Sequence, residues 1–113
     1  MPSYNFAEVA ESDLDSILDY TLKKWGIDQA DKYIDGLEQH AQLLADTPKL
    51  AKPVSQFAEG LRAFPYQSHV IYFIEAPHGI TIARVLHESM NPSLHLKEET
   101  WHDHTDQDSS TCR

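Results

Sequence analysis

A chain of 113 residues with 41% hydrophobic and 10% aromatic content is sized for one soluble domain with one modest core. Eighteen acids against nine bases give a net charge of −9, which disfavours phosphate-tracking surfaces, since those cluster Lys and Arg. Cys112 is the only cysteine and excludes an internal disulfide; no apolar run approaches the roughly 20 residues that cross a bilayer, and no export signal opens the chain, so a cytoplasmic protein off the membrane is expected.

Tyr4 and Phe6 alternate with polar neighbours, as in a short strand. Ser12-x-x-Asp15 reads as a capping box at a helix start. Leu14, Ile17, Leu18, Thr21, Leu22 and Trp25 then recur at three- and four-residue spacing and predict one apolar stripe, ended by Gly26. Asp28 can cap a second helix whose stripe is Ala30, Tyr33, Ile34, Leu37, Ala41 and Leu44, and Pro48 closes it. So short a joint predicts an antiparallel helical hairpin.

From Pro48 to Phe57 the chain reads as loop. Strands are predicted at Leu61 to Phe64, Val70 to Ile74 and Ile80 to Leu86, with turns at Pro65 to Ser68 and Ala76 to Gly79. Periodicity alone therefore gives a small α+β domain over residues 1–96. Residues 97–113 are a polar tail with five acids and two bases.

Strand parity puts Ile80, Ile82 and Leu86 on one face, with Ala83 and Val85 on the other. In the preceding strand Val70, Tyr72 and Ile74 oppose Ile71 and Phe73. Both faces are apolar, yet one hairpin covers one face only. A partner is expected on the second.

Few residues suggest chemistry. Residues 8–46 carry ten acids against Lys23, Lys24 and Lys32, the pattern of a solvated helical face. Arg62 and Arg84, the only arginines before the tail, suit planar contacts to carboxylates, either from a nearby acid or from a partner. His87 is the best lone candidate for proton transfer, although a histidine at a strand end is more often structural. There is no G-x-S-x-G nucleophile motif or glycine-rich phosphate loop, and Cys112 lies in the polar tail. His102-x-His104 with Asp103 has no further ligands near it. No cofactor and no metal are expected.

Arg84-Val85-Leu86-His87-x-x-Met90-Asn91 resembles the last strand of the ParE toxins, R-V-L-H-x-x-M-D, with Asn91 in place of the family's Asp. Further matches follow in the family's order: Tyr4-x-Phe6, Tyr20-Thr21 with Trp25-Gly26, Gln29-Ala30-x-x-Tyr33, Pro48, and Gly60-Leu61-Arg62. The resemblance implies a β-α-α-β-β-β fold, an antiparallel sheet packed on the helical hairpin. It also implies a toxin that blocks replication by trapping DNA gyrase and is neutralised by a ParD-like antitoxin, with no catalytic site and no direct nucleic-acid binding. Residues expected to meet antitoxin or target are Trp25, Leu61, Arg62, Arg84, Leu86, His87 and Met90. The alternatives are a ribosome-dependent mRNA endonuclease of the RelE type, using His87 and Arg62, and a degenerate binding homologue without toxicity. The endonuclease reading is weakened by His69 and Glu88, which stand where that group carries Arg, or Arg or Tyr.

Overall fold

A computed structural model describes residues 2–96. The expected tail, 97–113, lies outside the described residues. In chain order the elements are β1 (Ser3–Phe6), α1 (Glu8–Trp25), α2 (Ile27–Asp46), β2 (Lys52–Pro53), β3 (Arg62–Tyr66), β4 (His69–Ala76), β5 (Gly79–His87) and a single helical turn, α3 (Pro92–His95). The sheet order is β1-β5-β4-β3-β2. The α+β fold is as expected, with two additions. β1 runs parallel to β5, which makes the sheet mixed, and β2 forms inside the stretch read as loop.

Local chemistry explains where the helices begin. Ala7 N–H donates to the Ile82 carbonyl at 2.9 Å, the last bond between β1 and β5, and the Ala7 carbonyl at once accepts from Ala10 and Glu11. α1 thus starts at the sheet edge, four residues before the Ser12 capping box, which is helix interior. Glu8 and Glu11 sit in its first turn, where the helix dipole favours negative charge. The hairpin joint is one residue. Gly26, at φ 94°, donates its N–H to the Thr21 and Leu22 carbonyls and accepts from Ala30 N–H. α2 therefore begins at Ile27 without help from Asp28, in a geometry only glycine takes at low cost.

Two apolar clusters flank the sheet. Tyr33, Leu37, Ala41 and Leu44 of α2 pack with Ile71, Phe73, Ile80, Ile82 and Val85, supported by Leu14, Ile17 and Leu18 of α1. On the other face Val54, Ala58, Leu61, Tyr72, Ala83, Leu86 and Leu96 form a second cluster. The expected parity holds for β4 and fails for β5. Tyr72 pairs with Arg84 but Phe73 pairs with Ile82, so Ala83 is an extra residue, a β-bulge. Beyond it every side chain changes face: Val85 joins Ile80 and Ile82, and Leu86 goes to the other side.

The second face is consequently not left for a partner. Segment 54–61 and Leu96 cover it from within the chain. Pro92 O accepts from Leu96 N–H at 2.8 Å, which closes α3 and sets Leu96 down on the cluster.

Candidate functional site

β5 carries two ionisable side chains, three positions apart, with opposite surroundings. Arg84 is closed in. Its Nε and Nη2 donate to Asp13 Oδ2 and Oδ1 of α1 at 2.7 and 2.9 Å, and Nη1 donates to the His95 carbonyl at 2.8 Å. Asp13 Oδ2 also accepts the backbone N–H of Val85 at 3.1 Å. β1 no longer pairs with β5 at this point, so the carboxylate satisfies an edge N–H that is left without a strand partner. Both side chains are about 15% exposed (14% and 15%). The unit ties α1, β5 and α3 together by planar two-point recognition. Arg62, at the other end of β3, is similarly engaged: Nη1 donates to the Ala51 carbonyl at 2.9 Å, and Nε lies 3.5 Å from Glu75.

His87 is open. It lines a groove of about 630 Å3 between α1 and the ends of β4 and β5. One wall is Ser16, Ile17, Tyr20, Thr21 and Trp25 of α1, continued by Gln29 of α2; the other is Ser68, His69, His87 and Ser89. Tyr20 and Trp25 are 60% and 64% exposed, although helical periodicity placed Trp25 in the buried stripe. Lys24 Nζ stands 5.6 Å from the Tyr20 ring and 5.7 Å from the Trp25 ring, shielding part of each. The last turn of α1 thus presents large rings where the core requires none, a feature more typical of binding surfaces than of isolated exposed hydrophobics.

The imidazoles have defined roles. Ser89 N–H donates to His87 Nδ1 at 3.1 Å, and Ser89 Oγ lies 2.7 Å from the same nitrogen. A backbone N–H needs an acceptor, so in the neutral ring Nδ1 accepts and Nε2 carries the hydrogen. His69 is the cross-strand neighbour of His87, edge to face at 5.4 Å between ring centroids. Its Nδ1 sits 3.3 Å from Tyr33 Oη. Burial pushes the His69 pKa below its ordinary 6.5, and His87 adds to that, with Glu88 opposing. Burial likewise holds the Tyr33 phenol well above its usual range, with Tyr66 contributing. Tyr33 is therefore a neutral hydroxyl at any physiological pH.

The sequence-selected residues divide accordingly. Trp25 and His87 line the groove, and Met90 is exposed just past β5. Leu61 and Leu86, expected at a binding surface, are 0% and 2% exposed in the second-face core, because the bulge and segment 54–61 enclose them. Arg62 and His87 do not form a catalytic pair. Arg62 registers with Phe73 and His87 with His69, four residues apart on β4, or roughly 13 Å at strand rise. Periodicity missed Tyr20, Ser16 and Ser89, which only the packing of α1 against the strand ends brings together. His69 beside His87 needed the hairpin register.

Comparison with known proteins settles the family. Residues 4–92 match the family model described as the ParE toxin of the type II toxin–antitoxin system parDE. The chain belongs to the ParE toxin family. Toxin ParE1 of Caulobacter vibrioides is 33% identical over 96 residues, spanning 85% of this chain and 99% of that protein. Toxin ParE of Escherichia coli is 32% identical over 99 residues, 87% and 96% of the two chains. A structure titled "Chromosomal ParDE TA system from P. aeruginosa" superposes with a TM-score of 0.63 at 20% identity, over 77% of this chain and 96% of that one, and shares the fold. The matched ParE segment contains the whole groove, from Ser16 to Ser89.

Proposed function

We propose that this ParE-family toxin acts by binding proteins through the α1–β5 groove, that its target is DNA gyrase, and that a ParD-like antitoxin neutralises it. The observation that carries this reading is the exposed Tyr20–Trp25 rim facing an imidazole whose Nδ1 is already occupied. Aromatic rings that bury large area with few rotors are the usual anchors of protein interfaces. A His87 ring holding Ser89 N–H on Nδ1 and a proton on Nε2 has no free lone pair for a general base. Support for gyrase in particular comes from the ParE strand pattern at Arg84 to Met90. Net charge −9 also favours a protein-directed surface over one that follows a phosphate backbone.

The endonuclease alternative keeps one favourable observation, two histidines lining one groove. Expression in a sensitive bacterium separates the two. The gyrase reading expects filamentous cells, inhibition of supercoiling by purified protein, and intact ribosome-bound mRNA. Cut mRNA with unaffected gyrase would install the endonuclease reading. Co-purification of the product of the adjacent reading frame tests the antitoxin.

A further inference from the structure

The polar atoms of the groove are unequally divided between donors and acceptors. His87 Nδ1 is filled by Ser89, so the ring edge left for a ligand is Nε2–H. His69 Nδ1 is engaged by Tyr33, and among the described residues nothing bonds its Nε2. The Thr21 hydroxyl is spent on the Ile17 carbonyl. Ser16 and Ser68 add hydroxyls, and among the described residues no carboxylate lines the groove. Beside these groups stand the rings of Tyr20 and Trp25.

We propose that this groove receives an acidic side chain of a partner protein, its carboxylate held at the His69–His87 edge while a neighbouring apolar residue packs on Tyr20 and Trp25. The inference deepens the reading of the groove as a protein-binding site and rests on it. A carboxylate accepts several hydrogen bonds at once, which matches paired N–H and O–H donors. A peptide carboxylate is favoured over nucleic-acid phosphate, because a −9 chain with ten acids between residues 8 and 46 repels a polyanion far more than one side chain.

Binding of this kind is linked to protons. The groups around the pair are Tyr33 from α2, Tyr20 of α1 across the groove with Lys24 against its ring, and Glu88 beyond β5. Burial holds His69 below its ordinary 6.5, and an incoming carboxylate favours its charged form. Affinity therefore rises as pH falls through the imidazole range.

The test uses the full chain and a short amphipathic peptide of Leu, Ala and Glu, with a twin carrying Gln for every Glu. Calorimetry measures affinity, and nitrogen-resolved NMR follows the imidazole signals. The Glu peptide is expected to bind about tenfold tighter than its twin at pH 6, with the ratio shrinking toward pH 8. It should also shift the Nε2 signals of His69 and His87. In His69→Gln with His87→Gln the pH dependence should vanish while apolar binding to the rim persists. Equal affinity for both peptides at pH 6 overturns the proposal but leaves rim-mediated binding standing. A single-stranded oligonucleotide that shifts the same signals more strongly than the peptide overturns it in favour of phosphate. Failure of both peptides to perturb Tyr20, Trp25 or either imidazole removes the protein-binding reading itself.

Discussion

Arg84 and His87 sit three residues apart on the same strand, both past the bulge, and they illustrate two uses of a polar side chain. Arg84 has every nitrogen engaged inside the molecule, by Asp13 and the His95 carbonyl. His87 has one nitrogen fixed by its own turn and the rest of the ring facing the groove beside His69. A sequence reading ranks both as contact candidates. The difference lies at the sheet edge past Ile82, where β1 has ended and Asp13 takes the Val85 N–H, drawing Arg84 in with it. Polarity at a strand end indicates function only when the backbone has no prior claim on the group.

The sharpest way to break this contrast is at Asp13. Asp13→Ala removes the partner of a nearly buried guanidinium and orphans the Val85 N–H, and should cost roughly 3–5 kcal/mol in denaturant unfolding. Asp13→Ala with Arg84→Met should recover part of that loss, because no unpaired charge remains. A double variant no better than the single would contradict the assignment of Arg84 as a structural tie.

The second sheet face comes next. Cutting the chain after Asn91 removes Leu96 from its cluster and the acceptor for Arg84 Nη1. The expected loss is about 2–3 kcal/mol, from burial of one Leu plus one charge-assisted bond. Cutting after Leu96 instead should leave the thermal midpoint within a few degrees. Equal losses from the two truncations would move the cover of this face into the tail.

Gly36 offers a smaller effect. A methyl group there meets the Tyr66 hydroxyl, which donates to the Tyr33 carbonyl at 2.8 Å. Gly36→Ala gains up to about 1 kcal/mol of helix propensity but incurs about 1–3 kcal/mol of overpacking. A net loss on the order of 1 kcal/mol is expected by thermal denaturation, and a stabilised variant would mean Tyr66 moves freely.

The smallest effect is a pH slope. The folded pKa of His69 lies below the unfolded value of 6.5, so the unfolded chain binds the proton first as pH falls. Its contribution to stability is complete above about pH 6.5 and is lost as pH drops below that. Subtracting the midpoint of His69→Gln from that of the parent across this range should isolate a downward step toward acid. A flat difference would argue that the ring is solvated.

Much of the fold was legible in the sequence. The stripe on α2 holds, with Tyr33, Leu37, Ala41 and Leu44 all buried, because that helix packs along the sheet for most of its length. The stripe on α1 holds only as far as Thr21; Leu22 and Trp25 stay in solvent, since periodicity records which side of a helix is apolar and not whether anything lies opposite. Capping signals at Ser12 and Asp28 were overridden by tertiary hydrogen bonds at Ala7 and by Gly26. Of the groove, Trp25 and His87 were found from the family pattern, whereas the His69–His87 pair and Ser89 depend on register and a two-residue turn. A bulge is one residue that breaks a period of two, and Ala83 carries no chemical mark of it.

Arg84 is tied into the fold, whereas the groove is proposed to serve a partner. Tyr20→Ala with Trp25→Ala tests it most directly, measured as growth arrest on induced expression beside the melting temperature of the purified variant. A midpoint within a few degrees of the parent is expected, both side chains being more than half exposed, together with loss of arrest. Full growth arrest with the rim stripped would contradict it.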